Sequence, residues 1–255
     1  PIFDGSSIAG WKSIDKSDMK LMPDASSIYM DPFFAEKTLC VHCDVLEPDT
    51  NESYERDPRG TAKKAEEFLK TSGVGDSSFW GPEAEFFIFD DVKFSVEMNK
   101  VSYEVDAVDG AWNTDADYEM GNSGMRPGVK GGYFPLPPVD HMQDLRAEML
   151  STMKRIGMKV DKHHHEVASC QHELGLVFGS LCGQADNILK YKYVIQQVCS
   201  AYGKSATFMP KPVFGDNGSG MHVHQSLWKS GQPLMFEKGT YADLSQTARW
   251  YIGGI

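Results

Sequence analysis

Apolar residues recur at helical spacing in several parts of this chain. The first predicted helix follows Asp57-Pro58, an N-cap with a proline at the first helical position, and ends before Gly73. Its apolar stripe is Ala62, Ala65, Phe68 and Leu69. A second helix is predicted over about residues 140–157, and its buried side is Met142, Leu145, Met149, Met153 and Ile156. A third helix is predicted over about residues 185–202 and a fourth begins near Tyr241.

Strand patterns lie between these helices. The predicted strands cover residues 83–89, 159–166, 175–178 and 221–227. Because strands and helices are mixed rather than strictly alternating, the pattern predicts an α+β fold. Residues 1–46 carry short extended runs, chiefly over 38–46, and predict a small β-rich unit.

Composition between these elements suggests how the chain is divided. The polar stretch 47–56 is interpreted as a linker, so that the predicted domains are residues 1–56 and 57–255. The Gly- and Pro-rich passage 121–138 predicts one long loop, and loops of that length are usually functional or disordered.

Charge and cysteine content exclude several classes of protein. The 25 Lys and Arg against 36 Asp and Glu give a formal net charge of −11, which argues against nucleic-acid binding. No run approaches the ~20 apolar residues of a membrane span. Five cysteines, an odd number, with no signal peptide before them predict a reducing, cytoplasmic location. The chain starts at Pro1 and stops in an apolar stretch at Ile255, so we expect both ends to be cuts through a longer protein.

The first candidate site lies on the predicted strand 83–89. Glu83 and Glu85 are two residues apart, so their side chains share one face. Two carboxylates on a mostly apolar strand are costly unless a cation lies between them. From this string alone, a solvated strand end and a metal site are equally good interpretations, and the aromatic residues that follow favour the metal site slightly.

A second group of acids and imidazoles lies on the predicted strand 159–166. Alternation places His164 and Glu166 on one face, with His163 and His165 on the other. Glu173 follows seven residues after Glu166, beyond a short turn, and could face it from a neighbouring strand. Taken alone, this string is more often explained by ordinary surface acids.

The third group pairs a glycine-rich loop with an alternating strand. Asn217-Gly218-Ser219-Gly220 precedes a strand that presents His222, His224 and Ser226 on one side. Together the three groups offer four carboxylates, one or two imidazoles and no thiolate, a ligand set that favours Mg²⁺ or Mn²⁺ over zinc. Two or more such ions suit phosphoryl transfer from ATP.

Two other strings do not qualify as metal or nucleotide motifs. Cys40-Val41-His42-Cys43 resembles half of a zinc site, but no second Cys/His pair follows at a suitable distance. Residues 215–220 lack both the lysine of a Walker-type loop and the glycine spacing of a dinucleotide fingerprint.

Several strings resemble bacterial type I glutamine synthetase, and they occur in order along essentially the whole chain. They are Phe3-Asp4-Gly5-Ser6-Ser7, Met22-Pro23-Asp24, residues 81–86, residues 130–135, His165-Glu166-Val167-Ala168 and residues 217–224. The resemblance implies that residues 1–56 are the C-terminal part of a β-grasp-like domain. It also implies that residues 57–255 are a catalytic domain, with a curved antiparallel sheet flanked by helices, truncated on its C-terminal side.

The resemblance also implies roles for individual residues. Ligands of the metal near glutamate would be Glu85, Glu166 and Glu173, and those of the metal that bridges the ATP phosphates would be Glu83 and His222. Asn217 and Gly218 would contact glutamate. The nucleotide would be contacted by Asp161, His164, Phe178, His224 and Ser226, with Phe178 near the adenine and His164 at a phosphate. Asp4 would deprotonate ammonium, surrounded by Ser7, Tyr133 and Glu166.

The implied reaction has two steps. ATP phosphorylates the side-chain carboxylate of glutamate, and ammonia then displaces phosphate to give glutamine. In this family the segment of Asp4 reaches the site of a neighbouring subunit. A ring-shaped homo-oligomer, a dodecamer by resemblance, is therefore expected.

The sequence departs from the family pattern in three places. One residue fewer than expected separates Glu166 from Gln171, which puts the placement of Glu173 in question, and Ala9 replaces a usual glycine. The chain also ends before the family's substrate arginines, flap acid and remaining metal glutamate. We therefore expect a partial site and no synthetase activity from these residues alone.

Two alternatives stay open beside the synthetase. A relative that joins glutamate to a polyamine or another amine would keep the metal acids, but it would not need the Asp4 segment, which is intact here. A non-catalytic structural descendant should have lost metal acids, and all four are present.

Overall fold

The structure, a computed structural model, describes residues 1–255 and contains four α-helices and thirteen strands. The helices are α1 (Pro58–Thr71), α2 (Gln143–Arg155), α3 (Leu181–Ala201) and α4 (Gln246–Gly254). The strands are β1 (Ile2–Asp4), β2 (Asp18–Pro23), β3 (Tyr29–Met30), β4 (Leu39–Cys40), β5 (Cys43–Leu46), β6 (Ser77–Phe89), β7 (Asp91–Glu97), β8 (Lys100–Asp106), β9 (Val160–His165), β10 (Gln171–Leu176), β11 (Ser205–Thr207), β12 (Met221–Lys229) and β13 (Gln232–Pro233).

Contacts group the chain into two units. Unit 1 comprises Pro1–Gly81, Phe178–Asn187 and His224–Ile255, and unit 2 comprises Pro82–Val177 and Ile188–Val223. The predicted domains, 1–56 and 57–255, are continuous segments, whereas each unit combines separate segments of the chain. The domain division therefore stays a prediction. The mixture of helices with antiparallel strands confirms the predicted α+β class.

Unit 1 begins with the predicted β-rich segment. Strands β1, β2 and β5 form an antiparallel sheet in that order, and β3 pairs with β4. Met19, Val45 and Tyr54 form its buried core, with Trp11 and Leu21 packed against them. Burial of these side chains is what stabilises such short strands.

Helix α1 is joined to this sheet by ion pairs that converge on one arginine. Arg59 Nη2 lies 2.6 Å from Asp24 Oδ2, Arg59 Nε lies 3.1 Å from Asp186 Oδ1, and the guanidinium also binds Asp44. Burial lowers the pKa of Arg59, but the hydrogen bonds to the three carboxylates outweigh this and raise it. Lys63, one turn later, adds a second cation beside Asp24 and Asp44.

The predicted helices are confirmed, with shifted bounds at two of them. The side chain of Asp57 accepts hydrogen bonds from the N–H groups of Arg59 and Gly60, as the predicted N-cap requires. The five apolar residues of the second predicted helix are all buried. Helix α3 begins at Leu181, four residues earlier than predicted. The region after Tyr241 forms a 3₁₀ turn, and α4 begins only at Gln246 because Ser245 caps it by accepting from the Ala248 N–H.

Unit 2 is built on an antiparallel sheet. Within this unit β10 lies between β9 and the second half of β6, and β11 pairs with the end of β6. One buried cluster beside it consists of Phe87, Phe89, Ala107, Ala168 and Cys170. In the part of β6 after Pro82, Phe87 and Phe89 continue the face that carries Glu83 and Glu85, whereas Ala84, Phe86 and Ile88 are buried on the opposite face.

One predicted strand has the wrong bounds and one hairpin was missed. The strand predicted at 175–178 is β10, which runs from Gln171 to Leu176. Its start is polar yet buried, since hydrogen bonds such as that of Gln171 to Glu85 satisfy the side chains there. The hairpin of β7 and β8 was not predicted, and it pairs Asp91 with Asp106 through Glu97 with Lys100. Residues 121–138 contain no helix or strand, as the loop prediction requires.

All five cysteines are free thiols. Cys170, Cys182 and Cys199 are buried, whereas Cys40 and Cys43 are partly exposed. Burial raises the pKa of all three buried thiols, and that of Cys199 to about 12. None of the four α-helices has both the length and the apolar character that crossing a membrane requires.

Candidate active site

Three neighbouring strands of unit 2 bring the predicted acids together. Glu173 on β10 lies directly opposite Glu85 on β6 and opposite His164 on β9. Because β6, β10 and β9 are adjacent and antiparallel, the three side chains fall in one row across the sheet. The convergence predicted from strand spacing is therefore present.

The centre of this row is a group of oxygen and nitrogen atoms close enough to share an ion. One ligand atom from each of His164, Glu166 and Glu173 lies within 4.8 Å of the other two. His164 Nε2 is 2.8 Å from Glu166 Oε1, as predicted for two residues on the same face. Burial raises the pKa of Glu166, but the hydrogen bonds from His164 and the Val167 N–H outweigh it and lower the pKa.

Glu173 lies among other carboxylates, an environment that suits a bound cation. Burial raises its pKa, and the carboxylates of Glu83, Glu166 and Glu85 raise it further against the lowering effect of His164. Several carboxylates are thus held together at a cost that a divalent cation would relieve. The donor set of carboxylates with one imidazole fits Mg²⁺ or Mn²⁺.

Glu85 is fixed in place by two hydrogen bonds to the same oxygen. Oε2 accepts from Gln171 Nε2 and from the Gly220 N–H, each at 2.8 Å. Gln171 Nε2 also donates to the Gly218 carbonyl at 2.9 Å. Sequence reasoning assigned no role to Gln171, although it lies two residues before Glu173 on the same strand face.

Glu83 and His222 lie beside each other, as the resemblance implied for two ligands of one ion. Nδ1 of His222 is 3.7 Å from Glu83 Oε2. The side chain of His222 is 75% exposed, so this edge of the site is open to solvent.

The turn between Glu166 and Glu173 accommodates a spacing that is one residue shorter than the family pattern. Cys170 adopts a left-handed conformation, with φ of 64°, and the Glu166 N–H donates to the Gln171 carbonyl at 2.7 Å. The Ala168 N–H donates to the side-chain oxygen of Gln171 at 3.1 Å. The shorter spacing therefore leaves Glu166, just after β9, and Glu173 on β10 with their ligand atoms together.

The loop 121–138 reaches the site through its aromatic residues. Phe134 stacks on the His164 ring at 4.7 Å, and Tyr133 contacts the same ring edge-on at 5.8 Å. A Cβ on Gly132 would lie 2.6 Å from the Glu166 carbonyl oxygen, so only glycine permits this close approach. Tyr133 is exposed beside the cluster, while Phe134 is a contact that sequence reasoning missed.

The glycine-rich loop approaches a second backbone closely. A Cβ on Gly218 would lie 2.3 Å from the Pro210 carbonyl oxygen, whereas one on Gly220 would meet nothing closer than 3.6 Å. Asn217 and Gly218, the predicted glutamate contacts, thus occupy a loop whose path requires glycine.

A buried polar cluster lies on the other face of β9 and β10. His165 Nε2 and His172 Nε2 lie 2.8 and 3.8 Å from Asp109 Oδ2, close enough for a metal ion. Arg146 Nη1, however, lies 3.1 Å from His172 Nδ1. Because a guanidinium can only donate, neutral His172 carries its proton on Nε2 and cannot bind a metal there. The cluster therefore joins the strands by hydrogen bonds.

Unit 1 contains a pocket of about 250 Å³ that includes three of the predicted nucleotide residues, Phe178, His224 and Ser226. It is lined by Phe79, Gly81, Phe178, His224, Gln225, Ser226 and Trp228. Phe79 contacts Phe178 and Trp228 edge-on, with ring centroids 5.5 and 5.8 Å apart. Trp228 Nε1 donates to Ser226 Oγ at 3.0 Å. Phe178 is 64% exposed, so its ring is available to a planar ligand.

The remaining predicted residues lie elsewhere on the two units. Asp4 in unit 1 caps the turn Gly5–Ser7, and hydrogen bonds from the Ser6 hydroxyl and N–H lower its pKa. Ser7 Oγ is 3.5 Å from its other carboxylate oxygen. Asp161 in unit 2 is exposed on β9, next to Gly175 of β10.

Comparison with known proteins places both parts of the chain in one family. The beta-Grasp domain of glutamine synthetase matches residues 2–48 and its catalytic domain matches residues 55–255. Curated glutamine synthetases of Cereibacter sphaeroides and Rhodobacter capsulatus are 70% and 71% identical to the chain over 254 residues. All of this chain is covered, with 54% and 58% of those relatives.

A solved structure shows the same fold. The electron cryomicroscopy structure of Plasmodium falciparum glutamine synthetase superimposes with a TM-score of 0.92 at 30% identity, covering 100% of this chain and 50% of that one. The chain thus spans about half the length of the relatives it matches. The resemblance stated from the sequence is confirmed: this chain belongs to the glutamine synthetase family.

Proposed function

We propose that this chain supplies the metal cluster and the nucleotide pocket of an ATP-dependent glutamate–ammonia ligase. The observation that carries the proposal is the convergence of ligand atoms from His164, Glu166 and Glu173, with Glu85 opposite Glu173 on the neighbouring strand. These carboxylates have an excess of negative charge that suits divalent cations, and such cations are what anionic ATP and glutamate need here.

Two metal positions follow from the donor groups. Glu85, Glu166 and Glu173 would hold one Mg²⁺ or Mn²⁺, and Glu83 with His222 would hold another. When bound, such ions neutralise phosphate charge during phosphoryl transfer. The 3.7 Å separation of His222 from Glu83 supports the second position.

The chain's own residues would orient the two substrates. Phe178 and Ser226 line a pocket whose exposed aromatic ring suits the adenine of ATP, with His224 beside them. His164 and Asp161 are proposed as further nucleotide contacts, while Asn217 and Gly218 are proposed to contact glutamate. In the reaction, the γ-phosphoryl group passes to the side-chain carboxylate of glutamate. Ammonia then displaces phosphate and forms the amide bond of glutamine.

Ammonium must be bound and deprotonated before it attacks. The pKa of Glu166 is lowered, so it is anionic at neutral pH and suits a cation beside Tyr133. Asp4 is proposed as the proton acceptor, with Ser7 next to it. By resemblance, Asp4 would serve the site of a neighbouring subunit.

A homo-oligomer, specifically a dodecamer, is therefore part of the proposal. The hairpin of β7 and β8 supports it, since a two-stranded ribbon exposes Phe94, Val96 and Val101. Exposed apolar side chains on a ribbon edge are typical of surfaces that pair with another chain.

Five free thiols suit a reducing compartment, so the cytoplasm is the proposed location. The proposed domain boundary after residue 56 lies close to the gap between the two family matches.

The proposal is tested by ligase activity. Because the chain spans about half the length of its relatives, the remaining residues of the Cereibacter sphaeroides protein are joined to it in a family-length chimera. ATP- and Mn²⁺-dependent γ-glutamyl transfer is then measured with ammonia and with putrescine. We expect turnover with ammonia. Absence of that turnover would contradict the proposal, and turnover with putrescine alone would support the amine-ligase alternative.

A further inference from the structure

Asp216 is a buried aspartate to which none of the proposed roles gives a function. It is 2% exposed, and its two carboxylate oxygens accept four hydrogen bonds. Oδ1 accepts from the N–H groups of Lys130 and Asn217, each at 3.0 Å. Oδ2 accepts from the N–H and the hydroxyl of Ser169, at 3.1 and 3.3 Å.

The donors come from three separate segments that all carry proposed site residues. Lys130 is three residues before Tyr133 in the long loop, and Ser169 lies in the turn between Glu166 and Glu173. Asn217 begins the glycine-rich loop. The Lys130 and Ser169 contacts are 86 and 47 residues away along the chain, so one side chain joins parts of the site that local structure does not connect.

A carboxylate is the group that this position requires. All four partners are donors, and an ionised aspartate accepts at both oxygens without donating. Three of the four donors are backbone N–H groups, so they are present with any residue except proline at positions 130, 169 and 217. Burial of the charge is compensated by these four bonds.

The joined segments are also under backbone strain. Lys130 has φ of 56° and Cys170, next to Ser169, has φ of 64°. Residues other than glycine persist in this region only where their surroundings hold them. The bonds to Asp216 fall on Lys130 itself and on the neighbour of Cys170.

We propose that Asp216 is a positioning residue that sets the three loops, and through them the metal ligands, in place. The glycine-rich loop holds Glu85 through the Gly220 N–H, and its Gly218 carbonyl accepts from Gln171. Release of Asn217 from Asp216 therefore loosens Glu85. Release of Ser169 loosens the turn that brings the ligand atoms of Glu166 and Glu173 together. This inference rests on the proposed function of these acids as metal ligands.

The test replaces Asp216 by asparagine in the family-length chimera and measures Mn²⁺ affinity by electron paramagnetic resonance. Asp216→Asn keeps nearly the same side-chain size. The NH₂ group of asparagine is a donor, however, and in either orientation of the amide it would face two other donors. Loss of an outer contact to metal ligands typically weakens metal binding ~10–100-fold, so at least about a tenfold loss is expected. A circular dichroism spectrum establishes that the variant is folded.

The matched control is Asp106→Asn. Asp106 is also buried, and it accepts from the Ala107 N–H, Trp112 Nε1 and the hydroxyls of Thr114 and Tyr118. Its partners all lie within residues 107–118, which carry no proposed ligand. This variant loses a comparable set of bonds, yet its Mn²⁺ affinity is expected to stay within about twofold of the parent's.

The outcomes separate the inference from the function on which it rests. If the parent chimera binds no Mn²⁺, the proposed function fails. If the parent binds Mn²⁺ and Asp216→Asn binds it equally well, or if Asp106→Asn weakens binding as much, the positioning role is wrong. If Asp216→Asn does not fold, Ser169→Ala decides: a loss of about twofold or more supports the role, and unchanged affinity overturns it.

Discussion

Glu85 illustrates how much of the site depends on single side chains. Its Oε2 is held by Gln171 and Gly220, so the protein's own hydrogen bonds orient the carboxylate. Replacement by alanine removes both the ligand and the partner of these two donors. We predict that Glu85→Ala lowers the Mn²⁺ affinity of the chimera by at least about tenfold.

The control for Glu85 is an acid of the same type outside the cluster. Glu97 is exposed at the end of β7, and Glu97→Ala is expected to leave Mn²⁺ affinity unchanged. Equal affinities for the parent and Glu85→Ala, measured by paramagnetic resonance, would show that the ligand assignment is wrong.

Trp228 orients a hydroxyl in the nucleotide pocket. Because Ser226 Oγ accepts from Trp228 Nε1, the hydroxyl proton points away from the indole and is available to a ligand. Trp228→Phe keeps an aromatic ring beside Phe79 but removes this donor. A net hydrogen bond contributes about 1 kcal/mol, so we predict about a fivefold loss of ADP affinity by calorimetry.

A second tryptophan provides the comparison for Trp228. Trp80 Nε1 donates to Ser78 Oγ at 2.9 Å, a bond of the same type between residues that do not line this pocket. Trp80→Phe should leave ADP affinity within about twofold of the parent. If both variants, or neither, weaken ADP binding, the orienting role of Trp228 is refuted.

Residue identities were predictable only where local spacing encodes them. The shared face of Glu83 and Glu85 follows from the strand period alone. Gln171 and Asp216 were missed because their importance lies in hydrogen bonds to residues 47 to 86 positions away, which no local pattern records.

At the scale of elements, Arg59 joins α1 to three carboxylates on other segments. Removing it by Arg59→Met leaves Asp24, Asp44 and Asp186 without their common cation in a largely buried place. Loss of one partner of a buried ion pair costs about 3 kcal/mol or more, so we predict that decrease in the free energy of unfolding. Urea denaturation of the chimera measures it.

Lys63 gives the contrasting case on the same helix. It binds two of the same acids, Asp24 and Asp44, but its side chain is 41% exposed. Lys63→Met should therefore cost less than about 1 kcal/mol, as exposed ion pairs do. Similar losses for the two variants would mean that burial does not determine the strength of these pairs.

Elements were predictable where their signals are local. Helix α1 carries its N-cap in sequence and helix α2 its apolar stripe, and both helices were found. Strand β10 was placed too late because its buried start is polar. The hairpin of β7 and β8 was missed because its apolar residues are exposed, although their alternation on both sides of Met98-Asn99 was a usable signal.

At the scale of the whole molecule, several aspartates make the fold sensitive to acid. The pKa of Asp24 is held well below its usual value by the Ser26 hydroxyl and then by Arg59. Burial raises the pKa of Asp140, but Arg146 outweighs it and lowers the pKa. Carboxyls with a depressed folded-state pKa contribute stability above their unfolded pKa of 3.8 and lose it as pH falls through the folded value.

We therefore predict that the chimera's urea midpoint falls steeply as pH is lowered from 5 to about 3. Asp140→Asn, which removes one such group, should start from a lower midpoint and show a smaller fall over this range. A midpoint that stays constant or rises toward pH 3 would contradict the prediction.

The class of fold and the family were predictable for the whole molecule, since they rest on element types and on strings in order. The division into two units was not predictable from local pattern. Unit 1 combines residues 1–81 with two later segments, and such grouping depends on contacts between distant parts of the chain.

The distribution of the thiols has a practical consequence for spectroscopy. Thiolate is the reactive form of cysteine, and burial keeps Cys170, Cys182 and Cys199 both protonated and covered. A maleimide dye at neutral pH should therefore label Cys40 and Cys43 first. Both lie in the segment that matches the β-grasp domain, so within this chain a fluorophore can be attached there without removing any native cysteine.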